Sequence, residues 1–156
     1  ALFLFEVRNM VGKFHGVFSL LLILAADVIA LAYMLSQSIG WGLVYLGIIV
    51  LANPIVLYSY CAKCLCREDD CSHIIPGKLT RFLPTRQQGP YSFWDYFGTA
   101  ISIGALFGFP QFWLWQSKGL FILFWILLIV GLVEILFFVC RACSNDNCPI
   151  NRSVHT

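Results

Sequence analysis

Long apolar runs separated by short polar segments dominate the pattern along this chain. Four runs are long enough to cross a hydrocarbon core of about 30 Å, which takes about 20 helical residues. They cover approximately residues 17–35, 40–60, 97–115 and 119–139. The first run exceeds the apolar region of a signal peptide and lacks a small-residue cleavage pattern after it, so we expect a true span. The pattern predicts an all-α integral membrane protein with four transmembrane helices.

Very short connectors, "SQSIG" and "WQSKG", separate the first run from the second and the third from the fourth. Connectors of this length join antiparallel neighbours, so we expect two helical hairpins. The segment between the hairpins is longer and ends in a loop over residues 74–92 that mixes prolines, apolar residues and cations. This composition is typical of a segment at the membrane interface, although it also suits docking of a soluble partner.

The two hairpins are related in sequence. "QSIGWGLVYLGIIVLANPIVLYSYCAKC" aligns with "QSKGLFILFWILLIVGLVEILFFVCRAC" without a gap at an offset of 79 residues, and both the Q-S-x-G start and the C-x-x-C end agree. We infer a duplication within a single membrane domain, with repeat one at residues 14–73 and repeat two at residues 93–148. Because each repeat contains two spans, both copies have the same orientation. A pseudo-twofold axis along the membrane normal should relate them.

Charge predicts the orientation of the hairpins. Only 12% of the residues are charged and 60% are hydrophobic, whereas a soluble domain has about 25% charged residues. Nine of the ten basic residues lie on the side that carries both termini and the central segment, and Lys118 lies on the other. The positive-inside rule makes the first side cytoplasmic. Attraction to anionic headgroups accounts for the net charge of +2, so we expect a lipid bilayer partner and no nucleic acid.

Cysteines follow the second span of each repeat, in clusters at residues 61–73 and 140–148. In a reducing compartment such clusters favour metal ligation or redox chemistry over structural disulfides. A C-x-x-C spacer lets two thiolates face one ion at about 2.3 Å. The seven cysteines and one histidine make enough ligands for two four-coordinate sites: Cys61, Cys64, Cys66, Cys71, His73, Cys140, Cys143 and Cys148.

Two arrangements of these ligands fit the spacing. The preferred one joins both C-x-x-C motifs, Cys61, Cys64, Cys140 and Cys143, in one shared site and leaves the other four ligands for a second site. The alternative builds one site within each repeat. In repeat one its ligands are Cys61, Cys64 and Cys71 with Cys66 or His73, and in repeat two they are Cys140, Cys143 and Cys148 with an outside ligand. Zinc fits the spacing best. An iron–sulfur cluster is the alternative, although "CAKCLCREDDC" differs from the bacterial ferredoxin spacing, and a reactive dithiol comes third.

Two carboxylates lie within the predicted spans. Asp27 is in the middle of the first, and Glu134 is six residues before Cys140. Carboxylates in lipid are costly, so both are candidates for a proton relay, with helix packing as the alternative role. At 1.5 Å per residue Asp27 lies about 15 Å deep and Glu134 about 9 Å, so we do not expect them to pair with each other.

Small residues and prolines predict local features of the spans. The Gly104-x-x-x-Gly108 pattern indicates a packing seam in the third span. Pro54 and Pro110 remove backbone donors and should kink their helices.

The sequence carries no P-loop, catalytic triad or dinucleotide fingerprint. We therefore expect a metal-binding membrane subunit rather than an enzyme, a structural or accessory component whose cysteine-rich face docks other protein subunits of a larger complex. One alternative is an electron-transfer subunit that links an iron–sulfur cluster to membrane quinone. Another is a membrane thiol–disulfide oxidoreductase.

Overall fold

The structure is a computed structural model that describes residues 2–64, 71, 73–84, 86 and 89–142, with the backbone alone for residues 2–9 and 142. Helices make up all its regular structure within these ranges. The α-helices are α1 Leu2–Gln37, α2 Ile39–Ser59, α3 Ile74–Leu79, α4 Phe93–Gly108, α5 Gln111–Leu114, α6 Lys118–Glu134 and α7 Cys140–Ala142. Two 3₁₀ turns, Cys61–Lys63 and Thr80–Phe82, and one π-helix, Ile135–Val139, complete them.

Four helical stretches are long and apolar enough to cross a membrane: Met10–Gln37, Ile39–Lys63, Phe93–Leu114 and Lys118–Val139. Large apolar side chains remain exposed along all four stretches, as lipid-facing surfaces require. The prediction of an all-helical integral membrane protein with four spans is confirmed. Contact with the lipid bilayer follows from it.

Helix α1 is the central element of the bundle. It packs against α6 and the π-helix on one side and against α2 on the other, and α2 also packs against α4. A glycine brings α1 and α6 close together, because a Cβ at Gly131 would lie 3.3 Å from the backbone oxygen of Ser19 and 3.2 Å from the side chain of Ile23. Small residues allow this kind of approach between helices in lipid.

The Gly104-x-x-x-Gly108 pattern does not form a packing seam in the part of the chain that the structure describes. Both glycines are exposed, and a Cβ at either would meet no described atom within 4 Å. The face of α4 that packs against α2 carries instead Gly98, Ser102 and Leu106. The prediction was wrong because residues 104 and 108 lie about 200° around the helix from residues 102 and 106.

Pro54 and Pro110 differ in their effect on the helices that contain or adjoin them. α2 continues through Pro54, whereas α4 ends at Gly108 and α5 starts directly after Pro110. Proline has no N–H to donate to the carbonyl four residues earlier. At the break after α4 that carbonyl belongs to Leu106.

Candidate functional site

The two cysteine motifs follow helices that run in the same direction. α1 is antiparallel to α6, since His15 pairs with Glu134 whereas the later Ile23 approaches Gly131. α2 is antiparallel to α4, since Tyr45 approaches Leu106 whereas the later Ser59 approaches Gly98. The ends of α2 and of the π-helix therefore lie at the end of the bundle where α4 begins. We call this the cysteine end of the bundle.

The described cysteines Cys61, Cys64, Cys71 and Cys140 are half-buried. Cys61 starts the 3₁₀ turn after α2, and the Cys64 N–H donates to the Cys61 carbonyl at 3.2 Å. Among the described residues, no three His, Cys, Asp or Glu side chains are grouped so that they could hold a metal ion. Three predicted ligands lie outside the described residues: Cys66, Cys143 and Cys148. Both ligand arrangements therefore stay predictions.

His73 lies directly before α3, which packs against α1. Its Nδ1 is buried and has no hydrogen-bond partner within the described part of the chain. Burial lowers the pKa of His73, and a hydrogen bond with the backbone of Gly16 opposes this shift. His73 is thus a neutral imidazole at neutral pH, which is the form that ligates metals.

Helix α3 and the 3₁₀ turn after it have two distinct faces. Gly77 and Thr80 are buried, whereas Ile75, Leu79 and Phe82 are exposed. A face with three large apolar side chains suits the boundary between headgroups and acyl chains. The interfacial position of the central loop stays a prediction.

Glu134, the last residue of α6, pairs with Nδ1 of His15 on α1. The His15 ring also stacks on Phe138 of the π-helix, with centroids 4.2 Å apart and planes 13° apart. His15 thus connects α1 to the π-helix that precedes Cys140. The sequence gives no sign of this contact, because 119 positions separate the two partners.

Asp95, in the first turn of α4, forms the most charged cluster of the described residues and was also missed by sequence reasoning. Lys63 Nζ lies 2.7 Å from Asp95 Oδ2, and Arg86 Nη1 lies 2.7 Å from Asp95 Oδ1. The Ser92 backbone N–H and hydroxyl also donate to Oδ2, each at 2.8 Å. The signal that could have found it is the capping box in "SFWD", in which Ser92 is the N-cap residue and the Asp95 side chain accepts from the Ser92 N–H.

The Asp95 cluster fixes one cysteine motif and part of the central loop. Lys63 is the third residue of the C-A-K-C motif, and Arg86 belongs to the loop. The Arg86 guanidinium also lies over the Tyr58 ring, 4.8 Å from its centroid. The end of α2, the loop and the start of α4 therefore converge on a single buried carboxylate.

Asp27 has its own partner in the middle of the bundle. The Tyr45 hydroxyl lies 3.1 Å from Asp27 Oδ1 and 3.0 Å from the Leu106 carbonyl oxygen. Glu134 is paired elsewhere, with His15. The expectation that the two carboxylates do not pair with each other agrees with these contacts.

No family model, curated protein or solved structure matches this chain. Its own residues define the class: a helical integral membrane protein with four spans.

Proposed function

We propose that this protein is a metal-binding membrane subunit, whose cysteines and His73 hold zinc, or an iron–sulfur cluster, at the cytoplasmic face. The metal joins the two hairpins there. The resulting cap presents the central loop to another subunit of a larger complex.

The observation that carries the proposal is the buried Nδ1 of His73. A buried polar atom without a partner costs free energy, so native proteins rarely keep one unless it has a ligand. His73 follows Cys71 by two residues, and a hydrogen bond with the Gly16 backbone holds its ring. Metal-ligating histidines are commonly oriented by such backbone contacts. Among the proposed ligands, half-buried His73 is therefore already neutral and oriented, with its Nδ1 buried.

The contacts between helices support the duplication, and burial agrees with it at some positions. At the same offset of 79 residues, four positions are buried in both repeats, although their side chains differ in chemistry. A pseudo-twofold axis would relate the contact of α1 with α6 to that of α4 with α2, and both contacts are present. Equivalent packing would place the two C-x-x-C motifs in equivalent positions. The four buried pairs are Gly16 and Asp95, Asp27 and Leu106, Tyr45 and Phe124, and Ala52 and Gly131.

The distribution of positive charge supports the orientation. The described cations other than Lys118 lie at or near the cysteine end, and Lys118 starts α6 at the opposite end. The positive-inside rule then makes the cysteine end cytoplasmic, where thiols stay reduced and available to metal. A reporter fused to the C-terminus should accordingly be cytoplasmic, and an external reporter would remove the redox part of the proposal.

Elemental analysis of the purified chain tests the function. We expect about one or two metal equivalents per chain, a loss of metal in His73→Ala, and no loss in the control His155→Gln, which changes a histidine outside the ligand set. Zinc without visible colour supports a structural subunit. Iron with a cluster signal in electron paramagnetic resonance supports the electron-transfer alternative. Metal-free protein prepared without chelator, with thiols that cycle between reduced and oxidised forms, would refute metal binding in favour of the dithiol.

Two single variants and their combination separate the ligand arrangements. If the two motifs share one site, Cys61→Ser and Cys140→Ser should each lose the same bound metal equivalent. The double variant should then lose little more metal than either single variant. If each repeat holds its own site, the two losses add. Additive loss would reject the shared site and leave the duplication untouched.

A further inference from the structure

Three buried oxygen atoms from three helices form a chain in the middle of the bundle. Asp27 Oδ1 of α1 is 3.1 Å from the Tyr45 hydroxyl of α2, which is 3.0 Å from the Leu106 carbonyl oxygen of α4. Tyr45 is fully buried, and Asp27 and Leu106 are each 6% exposed. Both gaps are hydrogen-bond distances, and two oxygens at such a distance without a hydrogen between them repel each other.

The Leu106 carbonyl needs a donor from outside its own helix. The residue four positions later is Pro110, which has no N–H. Polar backbone groups that proline frees in a membrane helix must be satisfied by neighbouring helices, because lipid offers no hydrogen bonds. Tyr45 is the neighbour in reach, so its hydroxyl hydrogen is directed to Leu106.

The number of hydrogens then decides the state of Asp27. Two gaps need two hydrogens; the tyrosine hydroxyl has one, and the carbonyl has none. The second hydrogen must therefore belong to Asp27. No cation offers an alternative, because the described charged side chains of the packed helices lie towards the ends of the spans: Lys13, Lys63, Asp95, Lys118 and Glu134.

We propose that Asp27 is a proton-binding site in the membrane interior, held as the neutral acid, which donates to Tyr45 while Tyr45 donates to the carbonyl that Pro110 leaves free. If Asp27 lost this proton to the solvent, only the Tyr45 hydroxyl hydrogen would remain for the two oxygen–oxygen contacts. Tyr45 would turn to the carboxylate and release Leu106, so protonation controls the contact of α2 with the break between α4 and α5. This inference is independent of metal binding.

Infrared spectroscopy of the purified chain in lipid vesicles tests the site directly. A protonated carboxyl has a carbonyl stretch separate from carboxylate and amide bands. We expect one such band at neutral pH, well above the pKa of about 4 of exposed carboxyls. Asp27→Asn should abolish it, whereas the control Glu134→Gln should retain it. Tyr45→Phe should shift its frequency, because this change removes the oxygen that accepts the acid's hydrogen bond.

Two results would overturn the proposal: no acid band at neutral pH, or a band that survives Asp27→Asn. If Asp27→Asn does not fold, wild-type protein with ¹³C-labelled aspartate gives the same decision. The acid band of the labelled protein must shift in frequency with the label, and it must shift again in Tyr45→Phe. A band that fails to respond to the label or to Tyr45→Phe would assign the proton to another group.

Discussion

Replacement of Asp95 by asparagine tests what connects the central loop to the bundle. The Asp95 side chain is 3% exposed, and its carboxylate is the anionic partner of both Lys63 and Arg86. Asparagine has the same shape and keeps an oxygen for the Ser92 donors, so Asp95→Asn removes the charge and little else. The two cations then face each other across a neutral side chain.

The magnitude follows from burial. Removal of one partner of a buried ion pair costs about 3–5 kcal/mol, because the remaining charge is left uncompensated. The side chains of Lys63 and Arg86 are 12% and 23% exposed and can partly reach water, so we expect the lower end, about 3 kcal/mol. This equals a loss of about 100-fold in the folding equilibrium constant. Loss of the cap in Asp95→Ala adds about 1 kcal/mol.

Equilibrium unfolding in mixed detergent micelles, followed by tryptophan fluorescence, measures these free energies. Ser92→Ala is the matched control, since it removes a cap contact without changing charge, and should cost about 1 kcal/mol. Combined with Lys63→Met, Asp95→Asn should cost clearly less than the sum of the single changes, because the pair is then removed together. A loss below about 1 kcal/mol for Asp95→Asn, typical of a surface ion pair, would refute the buried anchor.

Three further predictions use the same unfolding assay. Gly131→Val should cost about 1–3 kcal/mol because its side chain meets α1, whereas Gly104→Val should stay within about 0.5 kcal/mol; equal costs would contradict the packing of α6 on α1. In metal-free protein the unfolding free energy should fall as pH drops through 6.5, because the unfolded chain protonates His73 there while burial lowers the pKa in the folded state. His73→Gln should remove this pH dependence, and an unchanged slope would place the titration elsewhere. His15→Ala should cost about 2 kcal/mol, since it loses both the hydrogen bond with Glu134 and a ring stack, and Glu134→Gln about 1 kcal/mol; the reverse order would disprove the stack.

The spans were predictable because length and apolar character are local properties of the chain. The partners of polar residues were not, since they depend on which helices become neighbours. Tyr45 belongs to an apolar run of α2 and gives no sign that it meets Asp27, 18 positions earlier. Asp95 begins a span and resembles an ordinary interfacial residue until Lys63 and Arg86 are seen around it.

Small-residue motifs were equally ambiguous in sequence. Gly104-x-x-x-Gly108 matches a packing pattern but lies on an exposed face, whereas Gly131 matches no motif and lies where α6 packs against α1. Orientation around the helix axis decides between them, and it is set by contacts with other helices. The cysteine ligands could be nominated from their spacing, but their grouping depends on residues at the ends of the helices, including Cys143, outside the described part of the chain.

The central position of α1 has a consequence for biogenesis. Among the four spans, α1 is synthesised before the others, and its main partner, α6, is synthesised last. Until α6 is inserted, the face of α1 that later packs against Gly131 is in contact with the translocation channel or with lipid. Asp27 enters the bilayer before Tyr45 can reach it, and Tyr45 before Leu106. A chain that stops before Tyr45 would therefore carry Asp27 in the membrane without its partner.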